Sequence, residues 1–497
     1  MNPPEAQDKK AMSVSAGAAT MVAMRWSDRL LGLLSTLVLA RLLAPEDFGV
    51  IALASVVIEL IDVLLDMGVA TTLVQNLRAT RRDYHAAWTL RLIQFVIGAV
   101  LVAACAPLAA NYFHDPRIGP VMQVLAVATL ISGFENIGIV AFQKNMQFGM
   151  DFRFFFYKRV ISVAVTLAAA VVLQSYWALV IGTIVLRISG VALSYAMHPM
   201  RPRLDFSGIR AILSFSMWNV MRSIGAHLNE NADRLIVGRR VSTGMMGQYS
   251  MASDIAALPS TELLMPIGRV LLPAFVKEKE DPARLRETFL LALGIQALVG
   301  IPAGAGLALV APELVAAMLG DRWKAAIPFV QIMGVINVAT AISASGACLL
   351  LAIGRPKVVA INAWLQVLLF LACAVWLIPH EGAVGVALLR LAVAGLGLAS
   401  FVFLLVRELP ALRLMDLVDA VWRPCIGAAL MWLALSMLPL PGGMPVVLQL
   451  LWKVVLGAGV FIAAILALWL LSGRGDGPES YLLGKVREWL RLKPQGA

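Results

Sequence analysis

Apolar residues run through this chain in long blocks, and polar positions fall between the blocks rather than alternating with them. A helix needs about 20 predominantly apolar residues to cross the hydrocarbon core of a bilayer. The pattern predicts fourteen such spans, near residues 14–42, 46–76, 86–108, 120–142, 158–174, 176–197, 211–238, 245–275, 287–310, 325–352, 357–378, 382–406, 417–439 and 446–472. The fold class predicted is all-α and polytopic. Very short connections join 158–174 to 176–197 and 357–378 to 382–406.

Composition closes off the soluble alternative. Of 497 residues, 60% are hydrophobic and only 14% charged, with a mean hydropathy of +0.83. A soluble protein cannot cover that much apolar surface with so few polar groups. Cys105, Cys348, Cys373 and Cys425 all lie inside apolar runs and form no C-x-x-C pair, so they read as small buried apolar residues. The five histidines are scattered without metal-ligand spacing. The polar start, Met1 to Lys10, leads into no short apolar core with a cleavage site, so the first apolar helix is expected to remain a span.

The net charge of +11 would suit a nucleic-acid binder, but its placement argues for a membrane. With the N-terminus inside, the inner loops carry roughly five times the Lys and Arg of the outer ones. The outer ones hold Arg117, Arg239, Arg240, Arg322 and Lys324. That asymmetry supports an even number of spans with both termini cytoplasmic. Anionic inner-leaflet lipid accounts for the excess, and no nucleic-acid partner is expected. Phe148, Phe152 and Phe154 to Tyr157, interleaved with Arg153, Lys158 and Arg159, read as an interfacial aromatic belt. After Leu471 a Gly-rich break leads into a basic amphipathic helix expected to lie on the inner leaflet.

Ionisable groups inside a span are costly and by default face a partner or a cavity. They concentrate in four spans. The first has Arg25, Asp28 and Arg29; the second has Glu59, Asp62 and Asp66, on one helical face. The seventh has Arg222, His227, Glu230, Asp233 and Arg234, and the eighth Asp254, Glu262 and Arg269. A polar cavity between these spans is one reading. Salt bridges that stitch helices together are the other, and both can hold in different conformational states. Acids outnumber bases across the four spans, which argues against a simple cationic pocket. The stretch from Arg41 to Gly49, with Ala54 and Ser55, recurs 198 residues later as Arg239 to Gly247, with Ala252 and Ser253. The same offset carries the first span onto the seventh, in the same orientation.

The segment Leu39-Ala-Arg-Leu-Leu-Ala-Pro-Glu-Asp-Phe-Gly-Val50, with Asp66-Met-Gly-Val69 and Gln75, resembles the start of Wzx-type polysaccharide-transport flippases. These belong to the multidrug/oligosaccharidyl-lipid/polysaccharide exporter superfamily. Asp233-Arg-Leu-Ile-Val-Gly238, Gly247-Gln-Tyr249, Pro273-Ala-Phe275 and Ala352-Ile-Gly-Arg355 resemble their later signatures. The resemblance implies two pseudo-symmetric six-helix lobes plus two C-terminal helices. The corresponding domains are 1–200, 201–410, 411–472 and a cytoplasmic tail, 473–497. It also implies flipping of an undecaprenyl-diphosphate-linked oligosaccharide across a bacterial inner membrane, for exopolysaccharide or lipopolysaccharide synthesis.

On that basis Arg25, Arg29, Arg222 and His227 are the expected substrate-binding residues. Glu59, Asp62, Asp66, Glu230, Asp233 and Asp254 are the expected coupling or cavity acids. The expected partners are the lipid-linked oligosaccharide, membrane lipids, and a polysaccharide polymerase with its co-polymerase. No cofactor or metal is expected, and no phosphate-cradling G-x-x-x-x-G-K-[ST] is present to suggest an ATPase. Alternatives are a cation-coupled drug or metabolite exporter, a peptidoglycan-precursor flippase, and a membrane-embedded polymerase or ligase of lipid-linked sugars. The last of these is disfavoured by the small outer loops.

Overall fold

The computed structural model describes residues 26–28, 30–65, 68, 69, 73, 80–145, 147–207, 224–225, 227–229, 231–438, 443–473 and 477–491. The chain divides into two compact units at Gly247/Gln248.

In the first unit, α1 spans Pro45–Leu65, α2 Arg81–Phe113, α3 Ile118–Gly133, α4 Val140–Lys144, α5 Phe148–Leu173 and α6 Trp177–Met197. The start of α1 explains part of the sequence signature. Pro45 takes the first helical position, where its missing N–H costs nothing. The Asp47 carboxylate accepts from the Ala44 N–H at 2.9 Å, capping the helix, and its other oxygen accepts from the Tyr176 N–H at 2.9 Å. Glu46 and Asp47 also set negative charge in the first turn, where the helix dipole favours it. Helix α2 opens on a capping box between Thr80 and Asp83 and closes at His114, in the left-handed region.

The second unit is built on α7 Thr243–Ala256, whose first residues belong to the preceding unit, and α8 Met265–Glu278. It continues with α9 Pro282–Met318, α10 Ile327–Ala352, α11 Pro356–Glu408, α12 Leu414–Met437, α13 Val446–Leu471 and α14 Pro478–Arg491. Its core gathers Phe275, Phe289 and Phe401 with surrounding leucines. Gly382, at φ 62°, interrupts α11 and divides it into two spans. That is where the sequence places the short connection between 357–378 and 382–406. The tail helix α14 is held at its N-terminus. Pro478 packs on Gly294, and the buried Glu479 carboxylate pairs with Arg423 at 3.1 Å.

The outer surface is apolar, as a lipid-facing bundle requires: Leu471 is 84% exposed and Val172 80%. Among the described residues, 10 helices are long and apolar enough to cross a membrane, or up to 11 if one bent pair counts as a span. That pair is the main departure from the expected pattern. The stretch predicted as one span at 120–142 bends by 62° between Ile118–Gly133 and Ile137–Lys144. Asn136 is the cause: its side chain accepts from the Gly138 N–H at 2.9 Å and donates to the Met200 carbonyl at 2.7 Å. Its own N–H donates to Ser194 Oγ at 3.0 Å. The aromatic segment before the fifth span is itself helical, so α5 begins at Phe148. The cysteines depart too. None is fully buried, and Cys425 is exposed on a span, because in lipid an apolar side chain has no need of a protein interior.

The two repeat-related segments meet inside the first unit. A Cβ on Gly49 would lie 1.8 Å from the Thr243 carbonyl oxygen, and one on Gly247 would lie 1.9 Å from that of Pro45. Pro45 and Thr243 are equivalent under the 198-residue offset, as are Gly49 and Gly247. The contact is therefore reciprocal, as across a local two-fold. It brings two helix N-termini together, and carboxylates offset their like dipoles. Besides Glu46 and Asp47, Asp115 accepts from Thr243 Oγ1 at 2.7 Å and from Arg117 at 2.7 Å.

Burial pushes the Asp115 carboxyl up, but the hydrogen bonds from Arg117 and Thr243 outweigh it and hold the group below the usual carboxylate range. A carboxyl with a lowered folded-state pKa stabilises fully above its unfolded value, about 3.9. That stabilisation fades as pH falls through the folded-state value. Asp115→Asn should therefore lower the melting temperature of the purified protein at pH 7. The gap to wild type should close as the pH drops below about 4; a gap unchanged by pH would show that the charge contributes nothing.

Candidate functional site

Of the ten residues expected to form the site, five lie outside the described residues: Arg25, Arg29, Asp66, Arg222 and Glu230. Of the other five, Glu59, Asp62, His227 and Asp233 belong to the first unit and Asp254 to the second. His227 sits beside Asn231, whose amide nitrogen is 3.3 Å from both its ring Nδ1 and its carbonyl oxygen. Asp233 is buried on the helical stretch 231–240, in the first unit, and Asp254 is exposed on α7 in the second. Glu59 and Asp62 lie on the same helix, yet Glu59 is exposed while Asp62 lines a half-open cavity of about 360 Å³. Asp28, from the first charged span, approaches Arg159 of α5 at 3.7 Å, a loose pair of half-exposed groups.

The cavity around Asp62 combines polar and apolar walls. Arg91, Gln94 and Thr129 line it with Asp62, Arg187 and the apolar side chains of Val63, Leu65, Val69, Phe95 and Ile137. Gln94 donates to the carbonyl of Leu65, the last residue of α1, and so satisfies an acceptor that the helix end leaves open. Beside the cavity Glu135 bridges two cations. Its carboxylate is 3.2 Å from Arg91 Nη2 and 3.3 Å from Lys158 Nζ. All three are largely buried, at 19%, 11% and 14% exposure for Arg91, Glu135 and Lys158. Arg91 also lies over the Phe95 ring and Lys158 over that of Phe154. By rise, Arg91 lies about 15 Å along α2 from its start, well inside a span.

The sequence pattern singles out neither Arg91 nor Glu135 and places Lys158 in the interfacial aromatic belt. A signal was present. Glu135-Asn136 interrupts an otherwise apolar run, and two adjacent polar residues at that depth mark a break. At the 62° bend Glu135 meets Arg91 of α2 and Lys158 of α5.

The second unit holds a different irregularity. The chain between α7 and α8 takes a π-helical turn at Ser260–Leu264. Asn337 of α10 clamps it: the amide nitrogen donates to the Ala256 carbonyl and, at 3.0 Å, to that of Met333. Its oxygen accepts from Ser260 Oγ at 2.6 Å. Two further ion pairs brace this unit, the largely buried Lys453–Glu313 at 2.7 Å and the part-exposed Arg286–Asp416 at 2.6 Å. Among the described residues no group of three His, Cys, Asp or Glu side chains is arranged to hold a metal ion.

Long apolar helices with an apolar outer surface define a multi-pass membrane protein. Comparison with known proteins narrows the class. Residues 38–328, more than half of the chain, match the family described as "Polysaccharide biosynthesis protein". The chain is 25% identical over 402 residues to the lipopolysaccharide biosynthesis protein WzxC of Escherichia coli (strain K12), covering 79% of this chain and 81% of that one. Its fold is that of the lipid II flippase MurJ in an inward closed conformation. The TM-score is 0.72 at 13% identity, over 91% of this chain and 99% of that one. An inward-facing MATE family multidrug resistance transporter of the MOP superfamily superposes with a TM-score of 0.60 at 14% identity, over 76% and 95%. The chain belongs to the polysaccharide biosynthesis protein family.

Proposed function

We propose that this protein flips undecaprenyl-diphosphate-linked oligosaccharide repeat units across the bacterial inner membrane, supplying exopolysaccharide or lipopolysaccharide synthesis. The observation that carries the reading is the family match over residues 38–328. In this reading the chain has fourteen spans, two six-helix lobes plus two C-terminal helices, with both termini in the cytoplasm. The lobes alternate access to a cavity between the first, second, seventh and eighth spans. Arg25, Arg29 and Arg222, with His227, hold the diphosphate, because a guanidinium forks onto phosphate oxygens. Glu59, Asp62, Asp66, Glu230, Asp233 and Asp254 compete for those cations or carry the coupling ion. A polymerase and co-polymerase receive the flipped unit.

Arg25→Ala and Arg29→Ala should each abolish surface polysaccharide in a deletion strain while the protein still reaches the membrane. Normal export by both variants would overturn the assignment. The excess of acids in the four charged spans favours a second reading, a cation-coupled drug or metabolite exporter. A deletion strain with drug sensitivity and intact surface polysaccharide would decide for it.

A further inference from the structure

Among the described residues, the cavity of the first unit carries more positive charge than its carboxylates balance. Three cations, Arg91, Lys158 and Arg187, face two acids, Asp62 and Glu135, in or beside it. Glu135 already has Lys158 at 3.3 Å, so Arg91 can turn to a ligand without leaving that carboxylate uncompensated. Arg187 sits midway along α6, at the tenth residue after Trp177, and has no carboxylate within ion-pair range among the described residues. A guanidinium at that depth demands a counter-charge. Its planar fork fits an oxyanion better than a point acceptor. The rest of the wall is aliphatic and aromatic, from Val63, Leu65, Val69, Phe95 and Ile137. Such a wall suits an anionic group carried on a hydrocarbon chain.

We propose that this cavity is an oxyanion subsite, in which Arg187 and Arg91 together hold a phosphate or carboxylate group of the transported molecule. The subsite is separate from the arginines of the first span. It rests on the reading of the chain as a flippase of lipid-linked oligosaccharides. Two parts of such a substrate could supply the anion: the diphosphate of the lipid carrier, or an acidic sugar of the repeat unit.

The test is calorimetric titration of the full chain in detergent with three probes: farnesyl diphosphate, inorganic pyrophosphate and glucuronate. Wild type should bind at least one of them. Arg187→Gln should weaken that binding by about tenfold or more, the loss expected for a charge-assisted hydrogen bond. Arg187→Lys should fall between. Arg187 has no ion pair to lose among the described residues, so its neutral variant should fold, and gel filtration would confirm that. Arg187-dependent binding of the diphosphates assigns the subsite to the lipid carrier; Arg187-dependent binding of glucuronate alone assigns it to an acidic sugar. Equal binding of every probe by wild type and Arg187→Gln overturns the subsite.

Export separates this failure from failure of the function itself. If only the subsite is wrong, deletion still abolishes surface polysaccharide and Arg187→Gln restores it fully. If the function is wrong, deletion leaves the polysaccharide intact whatever Arg187 does.

Discussion

Glu135→Ala will cost the first unit roughly 3–5 kcal/mol, the usual penalty for removing one partner of a buried ion pair. The reason is what it leaves behind. Arg91 and Lys158 are both largely buried, and each takes its carboxylate contact from Glu135. Without it two like charges face each other in a low dielectric, over the Phe95 and Phe154 rings. Melting of the detergent-solubilised protein, followed by fluorescence-detected gel filtration, should show a fall of several degrees and reduced membrane yield. The charge-free triple variant Arg91→Met, Glu135→Leu, Lys158→Met should recover most of that loss, because well-packed apolar replacement of a buried ionic group is often neutral. It should not recover export, since Arg91 is gone. A Glu135→Ala protein that melts with wild type would show that the three charges are solvated and that the bend at 134–136 does not depend on them.

That triad marks where sequence reading stops. Span positions were legible because hydrocarbon imposes one rule, a long apolar run with internally satisfied backbone. Predicted spans 176–197 and 446–472 fall almost on Trp177–Met197 and Val446–Leu471. The connection near 378–382 was legible too, since a glycine can take the positive φ that Gly382 shows. The bend at Glu135 was not. Its cause is Asn136 reaching the Met200 carbonyl, a partner 64 residues away that no local pattern announces. Glu59 and Asp62 show the same limit. Spacing puts them on one face, but the neighbouring helices decide that Asp62 lines the cavity of the first unit while Glu59 is exposed. The cavity role of the charges of the first and seventh spans rests on family resemblance, whereas the Arg91–Glu135–Lys158 contacts rest on the geometry of the structure.

Alanine at Gly49 or Gly247 should disable the protein although neither glycine has an unusual φ and neither lies near the cavity. The obstacle in each case is backbone. A Cβ on Gly49 meets the Thr243 carbonyl oxygen at 1.8 Å and its carbon at 2.7 Å; one on Gly247 meets Pro45 O at 1.9 Å and Gly49 N at 2.9 Å. No rotamer change relieves a clash with a carbonyl, so α1 and the start of α7 must separate. Overpacking of this kind costs about 1–3 kcal/mol where side chains can give, and this site lies at the upper end or beyond. Separation would also stretch the Thr243–Asp115 hydrogen bond of 2.7 Å and uncover two helix N-termini that the surrounding carboxylates offset. The control is Gly459→Ala, where a Cβ would find nothing within 4 Å and should be neutral or slightly stabilising. Reciprocity gives a sharper test. Once one alanine has parted the segments, the second has little left to displace, so the double variant should melt only slightly below the worse single one. Full additivity would mean that the two glycines relieve independent clashes, and the local two-fold read from the 198-residue offset would lose its physical basis.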